Sequence, residues 1–224
     1  MTSSPGSENS SEGTSRRGIE GQEIVVIDPG VGNLGNLTRA IQHLGATPRI
    51  TVDAEEVAAA RCLLLPGVGA FRPPRERLRG ALEEALGQAL ANGAWLLGIC
   101  VGYQLLFDSS NEFGDTDGLG LIPGTVRPLP ETVPLPHIGW NPLLEVQDHP
   151  LVAGLDGAAL YFVHSYAPED VPEELVLARC RHGRDFPAVV GRGRVLGTQF
   201  HPEKSADAGL RLLANYLELA HGPS

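Results

Sequence analysis

Three short apolar runs, IVVID at 24–28, CLLLP at 62–66 and AWLLGI at 94–99, are each followed by a segment of helical periodicity. None of them alternates polar and apolar positions, so each reads as a strand buried on both faces. Strands of that kind, separated by helices, fold into a parallel sheet covered on both sides. Between the first two, residues 34–44 carry Leu34, Leu37, Ile41 and Leu44 at helical spacing, and TPRITV reads as another strand. A short helix over 53–60 has Asp53 as N-cap and Glu56 as capping-box partner. A single helix is expected over 76–91, stopped near Asn92-Gly93, and another over 101–110, with Tyr103, Leu106 and Phe107 along one side. Residues 114–150 change character: they are rich in Gly, Pro and Asp, with extended pieces near 124–129 and 137–147. ALYFVHSY, ELVLARCRH, PAVVGRG and RVLGTQF then follow closely, as strands joined by tight turns, and a helix over 205–221 closes the chain. The fold class is therefore α/β, with a mixed, mostly parallel central sheet flanked by helices.

The chain has 224 residues, within the range of one domain. Residues 1–22 are rich in Ser, Gly and Glu and are expected to be a disordered N-terminal tail, leaving 23–224 as the domain. A net charge of −10 argues against nucleic acid or an anionic membrane as partner. No apolar stretch reaches the ~20 residues of a membrane span, and the start lacks the apolar core of a signal peptide. Cys62, Cys100 and Cys180 are odd in number, which suits reduced thiols and a cytoplasmic location. Of 17 basic residues only Lys204 is a lysine.

Two motifs compete for the chemistry. Gly30, Gly32 and Gly35 match the G-x-G-x-x-G dinucleotide fingerprint, with Asp53 at about the distance of a ribose ligand. The surroundings are wrong for it. Asp28 puts a carboxylate where a pyrophosphate would sit, Pro29 removes an N–H from the turn, and Asp53 is better used as a helix cap. The second motif is Gly98-Ile99-Cys100-Val101-Gly102, a cysteine version of the nucleophile elbow. A sharp turn from strand to helix exposes the thiol at the sheet edge. The flanking glycines avoid collisions, the helix N-terminus favours the thiolate, and the Val101 N–H can face an oxyanion. The alternative is a core cysteine beside a glycine-rich turn. Cys62 and Cys180 lack this context and read as small core residues.

A thiolate that attacks an amide needs a histidine to protonate the leaving amine, and that histidine needs an orienting group. Among seven histidines, His43 and His221 fall on helices and read as solvated, His149 and His182 lie in polar turns, and His137 and His164 have no adjacent acid. His201 ends a strand in His201-Pro202-Glu203, where residues two apart point the same way, so Glu203 can reach its second nitrogen. A chance surface H-P-E is the competing reading. Pro66-Gly67-Val68-Gly69 ends the third strand and can present backbone N–H groups as a second oxyanion donor; an ordinary Pro-Gly turn is the alternative.

Together LLLPGVGAF, LLGICVGYQLLF and GTQFHPEKS resemble the class I, triad glutamine amidotransferases, over roughly residues 23–221. GLGLIPGTVRPLP, LPHIGWNPL, LYFVHSYAP and the opening DPGVGNLGN further resemble the glutaminase subunits of imidazole glycerol phosphate synthases. The resemblance implies a flavodoxin-like fold and a triad of Cys100, His201 and Glu203. It implies an oxyanion hole at Val68, Gly69 and Val101, with glutamine bound near Gly67, Gln104, Glu112, Ser165 and Tyr166. It implies no cofactor or metal, and a heterodimer with a (β/α)8-barrel cyclase contacted through Asn33, Trp140, Tyr161 and Lys204. For Trp140 and Tyr161 core packing is the alternative. Val101, Tyr103 and Pro29 depart from the common Leu, Met and Tyr of this family. Glutaminases serving anthranilate, aminodeoxychorismate or pyridoxal phosphate synthesis fit the triad but not LPHIGWN or YFVHSY. A dinucleotide-binding module and a silent scaffold complete the alternatives.

Overall fold

The computed structural model describes residues 19–28, 30 and 34–222. The buried runs form the strands β1 (Glu23–Ile27), β3 (Cys62–Gly67) and β4 (Trp95–Cys100), joined through α1 (Leu34–His43), the edge strand β2 (Thr47–Thr51) and α2 (Ala54–Ala59). Two helices, α3 (Arg72–Leu78) and α4 (Ala81–Ala91), separate β3 from β4. One helical turn, α5 (Val101–Gln104), follows β4. Then come β5 (Ser109–Ser110), β6 (Thr116–Asp117), β7 (Thr125–Pro128), β8 (His137–Pro142), β9 (Ala159–His164) and β10 (Tyr166–Glu169). The chain closes with β11 (Val176–His182), β12 (Arg184–Arg192), β13 (Val195–Thr198) and α6 (Ala206–His221).

The central sheet has seven strands in the order β11-β12-β13-β4-β3-β1-β2. Strands β2, β1, β3, β4 and β13 run parallel, while β12 is antiparallel to β13 and β11 to β12. This is the mixed, mostly parallel α/β sheet expected from the sequence. A four-stranded sheet, β10-β7-β5-β6, and the hairpin β8-β9 stand beside it. Every residue of β3 is buried, as a central parallel strand requires. The Tyr216 hydroxyl donates to Leu63 O at 2.7 Å and ties α6 to that strand.

Five local expectations are corrected. The helix expected over 76–91 is two, broken at Gly80, whose φ of 82° and ψ of −129° no L-residue adopts readily. The helix expected over 101–110 stops after one turn. The carbonyls of Leu105, Leu106 and Phe107 that would extend it accept instead from the N–H groups of residues 119–122. Asp53 caps α2 through the N–H groups of Glu55 and Glu56, but Glu56 pairs with Arg49 rather than closing a capping box. The segment expected to be a tail is packed from Ile19, which is 2 % exposed, and its turn is bonded to Gly45. Residues 1–18 of that tail lie outside the described residues. His221, read as solvated, is half-buried, and burial pulls its pKa down.

Candidate active site

Cys100 is the last residue of β4 and holds φ 55° and ψ −109°. That strained geometry is the elbow the pentapeptide predicts. Both glycines are needed for close approach. A Cβ on Gly102 would lie 1.7 Å from Leu65 O, and one on Gly98 would lie 2.7 Å from Gly102 O. Gly67 is paired with Cys100 across β3 and β4 and has the same packing role, since its Cβ would meet Gly102 N at 2.9 Å. Gly69, at φ 84°, makes the turn that follows.

The carboxyl ends of the parallel strands open into a cavity of about 330 Å³, at the small end of the ~300–1,000 Å³ of small-molecule sites. Val68, Gly69, Cys100, Val101, Gln104, Glu112, Ser165, Tyr166, His201 and Lys204 all line it. The loop after β3, the elbow, the loop after β5, the turn between β9 and β10 and the segment after β13 thus converge. Gly67 does not line the cavity; as a predicted substrate-binding residue it is displaced into the strand behind. Asn33 lies outside the described residues.

His201 follows β13, which pairs parallel with β4 so that Thr198 stands beside Ile99. Continuing that register sets residues 199–201 alongside the elbow. Nδ1 of His201 is 2.8 Å from Glu203 Oε1, and both side chains are buried. His201 Nε2 makes no hydrogen bond of ordinary geometry among the described residues. Burial disfavours the charged ring, but Cys100 and Glu203 outweigh that, and the His201 pKa is pushed up to about 10. A cationic His201 facing a thiolate is the state needed to protonate a leaving amine. The backbone of His201 is also clamped to β9. Its N–H donates to Tyr161 O at 3.0 Å, and its carbonyl accepts from Ser205 Oγ at 2.6 Å, while Ser205 Oγ accepts from Tyr161 N at 2.9 Å.

Glu112 accepts from the Phe71 N–H at 2.7 Å, and burial raises its pKa against that bond. Lys204 lines the cavity and places Nζ 5.8 Å above the Tyr161 ring. Tyr161 meets Trp140 edge-on at a centroid distance of 6.0 Å. Trp140 is 53 % exposed, so core packing is not its role. Tyr103, a departure from the family pattern, is buried, with its hydroxyl donating to Pro187 O at 2.8 Å. Gly197 leaves room for its ring, since a Cβ there would lie 2.4 Å from Tyr103 Cδ2.

Sequence reasoning missed two neighbours of the site and set a third, His164, aside. His164 lines the cavity but is a buried, neutral ring, with burial driving its pKa to about 3. Its Nδ1 donates to Tyr166 O at 2.8 Å and its Nε2 meets His137 Nδ1 at 3.0 Å, so it is no base. Ser205 supplies the clamp just described. Gln199 is fully buried, and its Nε2 is 3.9 Å from Cys100 Sγ. The signal for Gln199 was its position two residues before His201 in a segment the sequence reads as extended, hence on the same side.

The dinucleotide reading loses its anchor. The Gly30 N–H, which such a site would direct at phosphate, donates to Asp28 Oδ1 at 2.7 Å. Pro29, Val31 and Gly32 lie outside the described residues, and Asp53 is spent on its cap.

The family model for glutamine amidotransferase class-I matches residues 25–218. The chain is 48 % identical over 195 residues to the imidazole glycerol phosphate synthase subunit HisH of Symbiobacterium thermophilum, covering 86 % of this chain and 92 % of that one. It is 46 % identical to the subunit of the same name from Streptococcus gordonii, covering 88 % and 97 %. Among solved structures, a glutamine amidotransferase superposes with a TM-score of 0.69 at 24 % identity, covering 88 % of this chain and 98 % of that one. At such identity the superposition shows the fold alone. The chain belongs to the class-I glutamine amidotransferases and, within them, to the HisH subunits of imidazole glycerol phosphate synthase.

Proposed function

We propose that this chain hydrolyses glutamine to glutamate and ammonia through Cys100, His201 and Glu203, and delivers the ammonia to a (β/α)8-barrel cyclase subunit. The observation that carries the reading is one cavity holding a strained cysteine at a strand end opposite a histidine bonded to a buried glutamate. The Cys100 thiolate attacks the side-chain amide carbon. Backbone N–H groups at Val68 or Gly69 and at Val101 receive the oxyanion. His201 gives its Nε2 proton to the departing nitrogen, the C–N bond breaks, and a thioester and ammonia result. Water then attacks the thioester, His201 takes a proton from it, and glutamate leaves as the C–S bond breaks. Glu203 holds the ring through Nδ1 and stabilises its charge. Glu112 supplies a carboxylate for the substrate ammonium, and Gln104, Ser165 and Tyr166 complete its cradle.

In the cyclase the ammonia enters an open-chain ribulosyl nucleotide, giving imidazole glycerol phosphate and an aminoimidazole carboxamide ribotide in histidine biosynthesis. Trp140, Tyr161 and Lys204 are the surface offered to the barrel. A glutamine-mimicking diazo-ketone tests the nucleophile. One equivalent is expected to label Cys100 and none to bind Cys100→Ala; labelling of that variant would overturn the assignment. Adding the cyclase and its nucleotide ligand is expected to raise the glutaminase rate strongly, and full activity without them would count against the coupled reading.

A further inference from the structure

The carbonyl oxygen of Tyr166 can only accept hydrogen bonds. It lies 2.9 Å from Gln104 Nε2 and 2.8 Å from His164 Nδ1. That fixes which end of the Gln104 amide points there, an orientation that geometry alone leaves ambiguous. The same Gln104 nitrogen is 3.2 Å from Gln199 Oε1. With its oxygen so engaged, Gln199 must turn its own NH₂ the other way, and there Nε2 stands 3.9 Å from Cys100 Sγ. Both amides are buried, so no bulk water competes for these bonds.

From this chain we infer that Gln199 is a catalytic residue that donates a hydrogen bond to the Cys100 thiolate, with Gln104 and the Tyr166 carbonyl holding the donor in place. The inference rests on Cys100 being the nucleophile, as proposed above. A thiolate on a side chain as buried as Cys100 needs compensation for its lost hydration. His201 supplies charge from one side, with Glu203 behind it. Gln199 supplies a neutral donor that survives when His201 surrenders its proton to the leaving group. Mid-reaction, it is the group that does not change its protonation state. Glu112, Lys204, Tyr166 and the neutral His164 are the remaining titratable groups lining the cavity among the described residues.

The test is the pH dependence of Cys100 alkylation by iodoacetamide in the full-length chain, read by mass spectrometry of the Cys100 peptide. It needs neither substrate nor cyclase. In the unaltered protein Cys100 is expected to react selectively; if it does not, the nucleophile assignment itself fails. In Gln199→Met the pH of half-maximal rate is expected to rise by about one unit, and the rate on the acid side of the midpoint to fall about tenfold, one unit being a factor of ten. In Gln104→Met, which leaves Gln199 present but unheld, the midpoint is expected to move part of the way. A selective Cys100 whose profile is unchanged in folded Gln199→Met overturns the inference alone, as does a rate lowered equally at every pH, which is what loosened packing gives. An unmoved Gln104→Met beside a shifted Gln199→Met removes the orienting role. Should Gln199→Met fail to fold, Gln199→Asn withdraws the donor by one methylene and carries the same expectation.

Discussion

At Cys100 the backbone stores strain and its neighbours have no room to release it. The φ of 55° is held because β4 enters the turn fully paired and Gly102 lies against Leu65. Gly102→Ala drives a methyl group into a backbone carbonyl that cannot move aside, and is expected to cost about 3 kcal/mol or more, measured by urea denaturation. His201 makes a second residue-scale prediction. Its folded pKa of about 10 lies above the ordinary 6.5, so its contribution to stability is complete below pH 6.5 and is lost as pH climbs through about 10. The thermal midpoint is expected to fall over that interval. In Cys100→Ala the facing sulfur is gone, and the fall is expected at lower pH. Coincident curves would show that the pair does not interact.

The elements show where local signals suffice and where they do not. The buried strands, the elbow and the α2 cap were legible because each is decided within a few residues, by a run of apolar side chains or one capping carboxylate. The split between α3 and α4 was not legible, because the stretch around Gly80 reads as good helix until its dihedrals are seen. The early end of α5 was invisible for a different reason: Leu105–Phe107 would propagate a helix, but residues 119–122 claim their carbonyls from a dozen positions away. Strands of two residues such as β5 and β6 carry no periodicity at all. The pairing of His201 with Glu203 was readable from motif spacing, whereas the reach of Gln199 to Cys100, beyond its place two residues before His201, needed the parallel register of β13 with β4. Gly80→Ala tests the break. Open space surrounds its Cβ position, so the cost is purely conformational, about 1–3 kcal/mol. Glutaminase activity is expected to persist, because Gly80 is not among the residues lining the cavity.

Across the whole molecule the β8-β9 hairpin leaves apolar side chains in water, with Ile138 60 % and Trp140 53 % exposed. Lys204 bridges that face and the cavity. Trp140→Ala is expected to weaken binding of the cyclase by about ten- to a hundredfold, by calorimetric titration, while leaving the thermal midpoint unchanged. No helix among the described residues is long and apolar enough to cross a membrane. The three cysteines, meanwhile, divide by environment. Cys62 and Cys180 sit in the core with burial pushing each thiol up to about 12, and only Cys100 opens onto the cavity. The chain is therefore its own unfolding gauge. A thiol-specific chromogenic reagent is expected to count one group per native molecule and three once the sheet comes apart, so a stopwatch and an absorbance trace follow the opening of β3 and β11 with no label added.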